Sequence, residues 1–226
     1  MTVVEESLRV PVADAVLDAD VATPARPRGV VMFAHGSGSG RHSPRNRYVA
    51  ACLQAAGLAT VLADLLTPAE ERIDTVSREL RFDIGLLSDR MTELVDWAGG
   101  VDWLPAGTPG GDAPDGRPAI GLFGASTGAA AALVTAARRP SEVRAVVSRG
   151  GRPDLACAVL PEVRQPTLLV VGGNDTVVIE LNRQALRLLA GEARMEIVPG
   201  ASHLFEEKGA LEEVARLACD WFLTRL

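Results

Sequence analysis

Leu8, Val10 and Val12 alternate with polar neighbours, and Leu17, Ala19 and Val21 repeat the pattern after a short break. Period-two alternation of this kind predicts two half-buried strands, read here as an edge hairpin. The next apolar segment has a different pattern. Val30-Val31-Met32-Phe33-Ala34 is apolar without interruption, as in a strand covered on both faces of a parallel sheet. Val49, Cys52, Leu53 and Ala56 then fall at helical spacing. Ser43 is placed to cap that helix, Pro44 suits its first turn, and Gly57 can end it.

The same alternation continues to the end of the chain. Ala59–Leu62 reads as a strand, and residues 67–98 as helix in two pieces. Residues 106–118 are rich in Gly and Pro and read as a loop, not as a domain boundary, because strands of the same style follow. Strands are expected at Ala119–Phe123, Val143–Ser148, Thr167–Val171 and Arg194–Val198. Helices are expected at 126–138 and 178–189, with a short helical turn after Ser148. A final helix carries Leu211, Val214, Ala215, Ala218 and Phe222 on one face. Strands alternating with helices imply a mostly parallel sheet of seven or eight strands with helices on both faces, built as one domain over residues 1–226. Residues 149–166 are too few for a large cap domain. In such sheets the working residues gather at the carboxyl ends of the strands.

Composition narrows the function. The chain has 226 residues, 47% hydrophobic and 23% charged, with a net charge of −6. That is ordinary globular composition, and it argues against broad nucleic-acid binding. Cys52, Cys157 and Cys219 cannot all pair and form no CxxC, so neither a disulfide framework nor a cysteine zinc site is expected. The longest apolar run, Gly128–Ala137, is far shorter than the roughly 20 residues of a membrane span. Met1–Arg9 carries Glu5 and Glu6 and lacks the apolar stretch of a secretory signal. These features lead us to expect a cytoplasmic protein.

Four strand ends carry the candidate chemistry: His35-Gly36-Ser37, Gly124-Ala125-Ser126-Thr127-Gly128, Gly172-Gly173-Asn174-Asp175 and Pro199-Gly200-Ala201-Ser202-His203. Gly-x-Ser-x-Gly between a strand and a helix matches a nucleophile elbow, in which a serine sits on a sharp, strained turn. Glycines two before and two after Ser126 are expected to relieve a clash between those two positions. A serine needs a base and the base an orienting acid. Ser126, Asp175 and His203 follow in the chain order this arrangement uses. His203 is the only histidine after Ser126. Asp154 is a rival for the acid. Thr127 and Ser37 are the expected N–H donors to a developing oxyanion.

At these residues the chain resembles the α/β-hydrolase superfamily, in particular a small dienelactone-hydrolase-like group in a serine-nucleophile form. The resemblance runs from His35-Gly36 through the elbow to Asp175 and His203. It implies the α/β-hydrolase fold and a serine hydrolase acting on esters or related acyl compounds, with a small-molecule substrate. One departure matters: dienelactone hydrolases proper carry cysteine where this chain has Ser126, which favours an ordinary esterase mechanism over lactone hydrolysis. Cleavage of a lactone or thioester bearing a carboxylate, and an inactive binding module on the same fold, are the alternatives.

Further expectations complete the reading. His35, Gly36, Gly38, Arg41 and Arg149 are candidate substrate contacts, with His35 read as orienting the loop after Ala34 more than as transferring a proton. The arginines Arg41, Arg45, Arg47, Arg149 and Arg152 either clamp an anionic group or pair with the excess Asp and Glu. Arg81 reads as a helix-packing residue and His42 as a solvated one. No cofactor, metal, nucleic acid or membrane is called for, and a homodimer is left open. Gly36-x-Gly38-x-Gly40 fails the dinucleotide spacing at Arg41, and a reductase Tyr-x-x-x-Lys pair is missing, since Cys52 follows Tyr48 at that distance.

Overall fold

The computed structural model describes residues 2–100 and 118–226. The predicted 106–118 loop lies outside the described residues except for its last position.

Strands β1 (Val3–Val12), β2 (Ala15–Pro24), β3 (Val30–Ala34), β4 (Ala59–Ala63), β5 (Ile120–Ala125), β6 (Val143–Arg149), β7 (Thr167–Gly172) and β8 (Ala193–Val198) form one sheet. Its order is β1-β2-β4-β3-β5-β6-β7-β8. The β1–β2 and β2–β4 pairs are antiparallel; the remaining pairs are parallel. The predicted hairpin is therefore at the edge, with β1 outermost.

Helices α1 (Pro44–Ala55), α2 (Pro68–Ser77), α3 (Ile84–Ala98), α4 (Thr127–Arg138), α5 (Thr176–Leu188) and α6 (Ala210–Leu223) connect the strands. Short 3-10 turns lie at Leu80–Phe82 and Pro153–Glu162. The Pro153–Glu162 turn packs on α4 and α5, and no large cap follows β6.

The continuous apolar strands are buried on both sides. From β3, Val30, Met32 and Ala34 join Leu122, Val146, Met91, Leu94 and Leu133 in the core beneath α3 and α4. Val31 and Phe33 point the other way, into a core with Phe123, Val147, Leu53, Val214 and Phe222 beneath α1 and α6. The rings of Phe33 and Phe123 meet at 4.9 Å.

Local signals set the helix ends. Asn46 N–H donates to the Ser43 hydroxyl at 3.5 Å, and Gly57 takes φ 90° just beyond α1. Thr67 and Glu70 form a reciprocal capping box at α2, which breaks the 67–98 helical segment where Arg78 turns left-handed, at φ 59°. Asp83 caps α3 through the Leu86 N–H at 3.0 Å.

Candidate active site

β5 and α4 meet at Ser126, whose φ of 51° and ψ of −120° lie where a non-glycine residue is strained. The turn is over-determined by its neighbours. Ser126 N–H donates to the Arg149 carbonyl at 3.2 Å, and its own carbonyl accepts from Arg152 N–H at 3.0 Å and Ala129 N–H at 3.1 Å. The flanking glycines are required, Gly124 in part for the contact expected from sequence and Gly128 for another. A Cβ on Gly124 would stand 2.4 Å from the Ala129 Cα and 2.8 Å from the Gly128 carbonyl oxygen. A Cβ on Gly128 would stand 2.2 Å from the Ala34 carbonyl oxygen. Gly128 thus lets α4 press against β3 and does not chiefly relieve Gly124.

His203 stands in the loop after β8. Its Nδ1 lies 2.6 Å from Asp175 Oδ2 and its Nε2 lies 3.3 Å from Ser126 Oγ. The Asp175 carboxylate accepts from Nδ1–H, so Nε2 carries the lone pair facing the Ser126 hydroxyl. The imidazole is about a third exposed, the Asp175 carboxylate less so. Asp175 sits at the N-terminus of α5, its N–H held by the Gly172 carbonyl at 3.0 Å. Asn174 ties the two loops together, donating from its backbone to the Ala201 carbonyl at 2.9 Å and from Nδ2 to the Gly200 carbonyl at 2.7 Å. Phe205, buried with φ 55°, anchors the segment after His203. Asp154, the rival acid, is taken by Arg152 at 2.7 and 2.8 Å.

The loop after β3 closes the other side. A Cβ on Gly36 would come within 3.1 Å of the Ser126 Cβ, so the loop runs past the serine at van der Waals distance. The N–H groups of Ser37 and Thr127 take no hydrogen-bond partner among the described residues. Thr127 opens α4, where the helix dipole favours negative charge.

His35 is buried and both ring nitrogens are engaged. Leu65 N–H donates to Nε2 at 2.9 Å, and Nδ1–H donates to the Gly36 carbonyl at 3.0 Å. Burial pushes its pKa below the usual histidine value, against a hydrogen bond to the Gly36 backbone and the charges of Asp64 and Glu71. It is therefore a neutral strut for the loop, the orienting role read from the sequence.

The other candidates divide. Arg41 is committed to Asp64, with Asp20 at 3.6 Å and Asp18 at 3.9 Å, which corrects its reading as a substrate contact. Gly38 takes φ 68° and is backed by Arg81, whose Nη1 lies 3.1 Å from where a Cβ would stand. Arg81 is thus more than a helix-packing residue. Buried Asp74 fixes its guanidinium and its backbone N–H, and the pair supports the loop from behind. A lone Asp-to-Arg spacing of seven residues across a chain reversal carries no sequence signal. His42 is exposed, 3.7 Å from Asp20. Arg149 is buried at the end of β6, and burial together with the charge of Arg45 pulls its pKa down to about 10.

Among the described residues no group of His, Cys, Asp and Glu could hold a metal ion, and no helix is long and apolar enough to cross a membrane.

Comparison with known proteins identifies the family and the fold. The model of the dienelactone hydrolase family matches residues 17–224. A dienelactone hydrolase from Anabaena variabilis is 52% identical, with TM-score 0.90 over 99% of both chains. Est1E from Butyrivibrio proteoclasticus shares the fold at 14% identity, with TM-score 0.76 over 96% of this chain and 98% of its own. A Mycobacterium tuberculosis protein, whose curated name offers phosphoribosyl transfer, is 52% identical over 98% of this chain and 47% of its own length. The chain therefore spans about half of that relative.

Proposed function

The chain belongs to the dienelactone hydrolase family, and from that premise we propose that it is a serine hydrolase of carboxylesterase type, cleaving short- to medium-chain esters through an acyl-enzyme. The observation that carries this reading is the continuous relay Asp175–His203–Ser126, with both contacts within hydrogen-bond reach.

In this reading Ser126 Oγ attacks the acyl carbonyl while His203 Nε2 takes its proton. His203 then delivers that proton to the leaving alcohol, and the ester C–O bond breaks. Water, deprotonated by the same nitrogen, attacks the acyl-enzyme and frees the acid and Ser126. Asp175 fixes the imidazole tautomer and stabilises the imidazolium. The N–H groups of Ser37 and Thr127 receive the oxyanion; one such donor contributes about 2.7–4 kcal/mol. The 3.3 Å Ser126–His203 distance is long for a neutral O–H···N bond, as is common before substrate tightens the site.

Substrate scope follows from the surroundings. Among the described residues no large cap covers the triad, and His203 is part-exposed to solvent. Leu155, Val177 and Leu204, exposed apolar residues close in sequence to Arg152, Asp175 and His203, offer contacts for a modest acyl chain. Phosphoribosyl transfer is not adopted: the hydrolase family match spans most of this chain, and more than half of the relative so named lies outside the match.

A neutral fluorophosphonate tests the nucleophile: a covalent adduct on Ser126 is expected, and its absence overturns the hydrolase reading. Turnover of p-nitrophenyl butyrate should fall by roughly 10⁶-fold in Ser126→Ala if chemistry is limiting. A preference for palmitate over butyrate esters would reject the open site.

A further inference from the structure

The buried face of α5 carries Val178, Ile179, Asn182 and Ala185. Three of these are apolar, and Asn182 is an amide with no exposed surface. A buried amide is costly unless it is hydrogen-bonded, and an apolar side chain would continue the stripe at less cost. Its Nδ2 donates to the Val178 carbonyl at 2.8 Å, one turn back in the same helix, and to the Gly151 carbonyl at 3.0 Å, in the turn after β6. Oδ1 is buried without a partner among the described residues, so what the amide contributes there is its donor side. The bond to Gly151 is the one that joins two elements.

Both elements carry the triad. Asp175 is the N-cap residue of α5, yet its carboxylate makes no cap bond and is turned to His203 instead. Asn182 stands two helical turns after Asp175, on the same face of the helix. At the other end of the bond, residues 149–152 hold the nucleophile by its backbone. The Arg149 carbonyl accepts from Ser126 N–H at 3.2 Å, and Arg152 N–H donates to the Ser126 carbonyl at 3.0 Å. Gly151 lies between these two and has no slack. A Cβ there would stand 1.9 Å from Ser148 Oγ and 2.6 Å from Ala129 Cβ. The turn also borders the base: Gly150 N–H is held by the Val170 carbonyl at 2.8 Å, and a Cβ on Gly150 would lie 3.5 Å from His203 Cε1. Among the described residues, the Asn182 bond is the only hydrogen bond between α5 and residues 149–152.

We propose that Asn182 is a positioning residue: its bond to the Gly151 carbonyl fixes the helix that presents Asp175 against the turn that holds Ser126, and so sets the span that His203 must bridge. Asn182 touches neither substrate nor the reacting atoms. It acts through Asp175, whose carboxylate must reach Nδ1 while Nε2 still faces Ser126 Oγ. The inference rests on the serine hydrolase reading and deepens it.

The test measures kcat and KM for p-nitrophenyl butyrate in wild type, Asn182→Leu, Asp175→Asn and the double variant. Asn182→Leu occupies a similar space and removes the bond. Its kcat should fall by roughly tenfold with KM nearly constant, because a small displacement of aligned groups slows the chemical step. On the Asp175→Asn background the same substitution should have little further effect, since the carboxylate contact it positions is already lost. A merely structural role would instead multiply with Asp175→Asn. Leu94→Ala, in the core beneath α3, is the stability control: it should lower Tm and leave kcat near the wild-type value. An unchanged kcat in Asn182→Leu, a change confined to KM, or an undiminished effect on the Asp175→Asn background overturns the proposal. Should Asn182→Leu fail to fold, Asn182→Ala passes through the same cycle with the same expectations. Fluorophosphonate labelling of wild-type Ser126 is read in parallel. Labelling with a kcat insensitive to residue 182 sinks the positioning role alone, and no labelling sinks the hydrolase reading itself.

Discussion

The Ala34 carbonyl oxygen lies 2.2 Å from the point where a Cβ on Gly128 would be. Helix α4 therefore rests directly on β3 at the turn that strains Ser126. Gly128→Ala forces these backbones apart, and neither can give way as a flexible side chain would. We expect destabilisation of about 3 kcal/mol or more, beyond the usual effect of a point substitution, together with loss of ester turnover. Chemical denaturation measures the first. A Gly128→Ala protein as stable as wild type would show that the close approach does not exist.

Asp175 accepts from His203 Nδ1 at 2.6 Å, and this contact selects the tautomer that leaves Nε2 free for Ser126. Asp175→Asn keeps the shape but presents an amide that can donate, favouring the wrong tautomer. By comparison with the same change in serine proteases, kcat should fall by roughly 10⁴-fold with KM little changed. Asp154→Asn should have no comparable effect, since Asp154 is bound by Arg152. The reverse ranking would reassign the acid.

Much of this was legible in the sequence for definite reasons. Uninterrupted Val30–Ala34 reported burial on both faces, and the glycines around Ser126 reported a turn that admits no Cβ. The order Ser126, Asp175, His203 was visible because each ends a strand–loop unit. Element ends were less legible: α5 begins at Thr176, two residues before the apolar pattern, because Asp175 occupies its N-cap position. Pairing of the arginines with carboxylates was legible as one of two readings, but which partner each takes was not. Arg41, Arg81 and Arg149 look alike in one dimension. Their partners come from the end of β4, from α2 and from α1 through contacts set only by the tertiary fold. The orienting role of His35 was legible, but its second partner, Leu65, was not, because it is supplied by the segment that follows the neighbouring strand.

Asp74 and Arg81 act on the oxyanion loop without touching substrate. Burial raises the Asp74 pKa, but hydrogen bonds from Arg81 outweigh it and hold the carboxyl below its ordinary range. The ion pair therefore persists at neutral pH and keeps the guanidinium behind Gly38. Asp74→Asn should loosen the loop that carries the Ser37 N–H. We expect kcat for p-nitrophenyl butyrate to fall by roughly tenfold or more, with KM nearly constant, because small misplacements near the reacting groups are costly. A change confined to KM would place this pair in ground-state binding instead.

Glu70 joins two structural tasks: it closes the α2 capping box with Thr67 and pairs with Arg90, a buried guanidinium that also meets Asp14 at 2.9 Å. The Arg90 hydrogen bonds pull the Glu70 pKa from its ordinary 4.5 to about 2, against a smaller opposing effect of burial. A carboxyl depressed on folding stabilises the protein above its ordinary pKa. That stability is lost as pH falls from about 4.5 through about 2. Glu70→Gln should therefore cost about 1–3 kcal/mol at pH 7, where a charge-assisted bond is replaced by a neutral one. The gap between wild type and variant should narrow as denaturation is repeated at successively lower pH within that window. An undiminished gap near pH 2 would mean that the amide disrupts the capping geometry and that the charge of Glu70 contributes nothing.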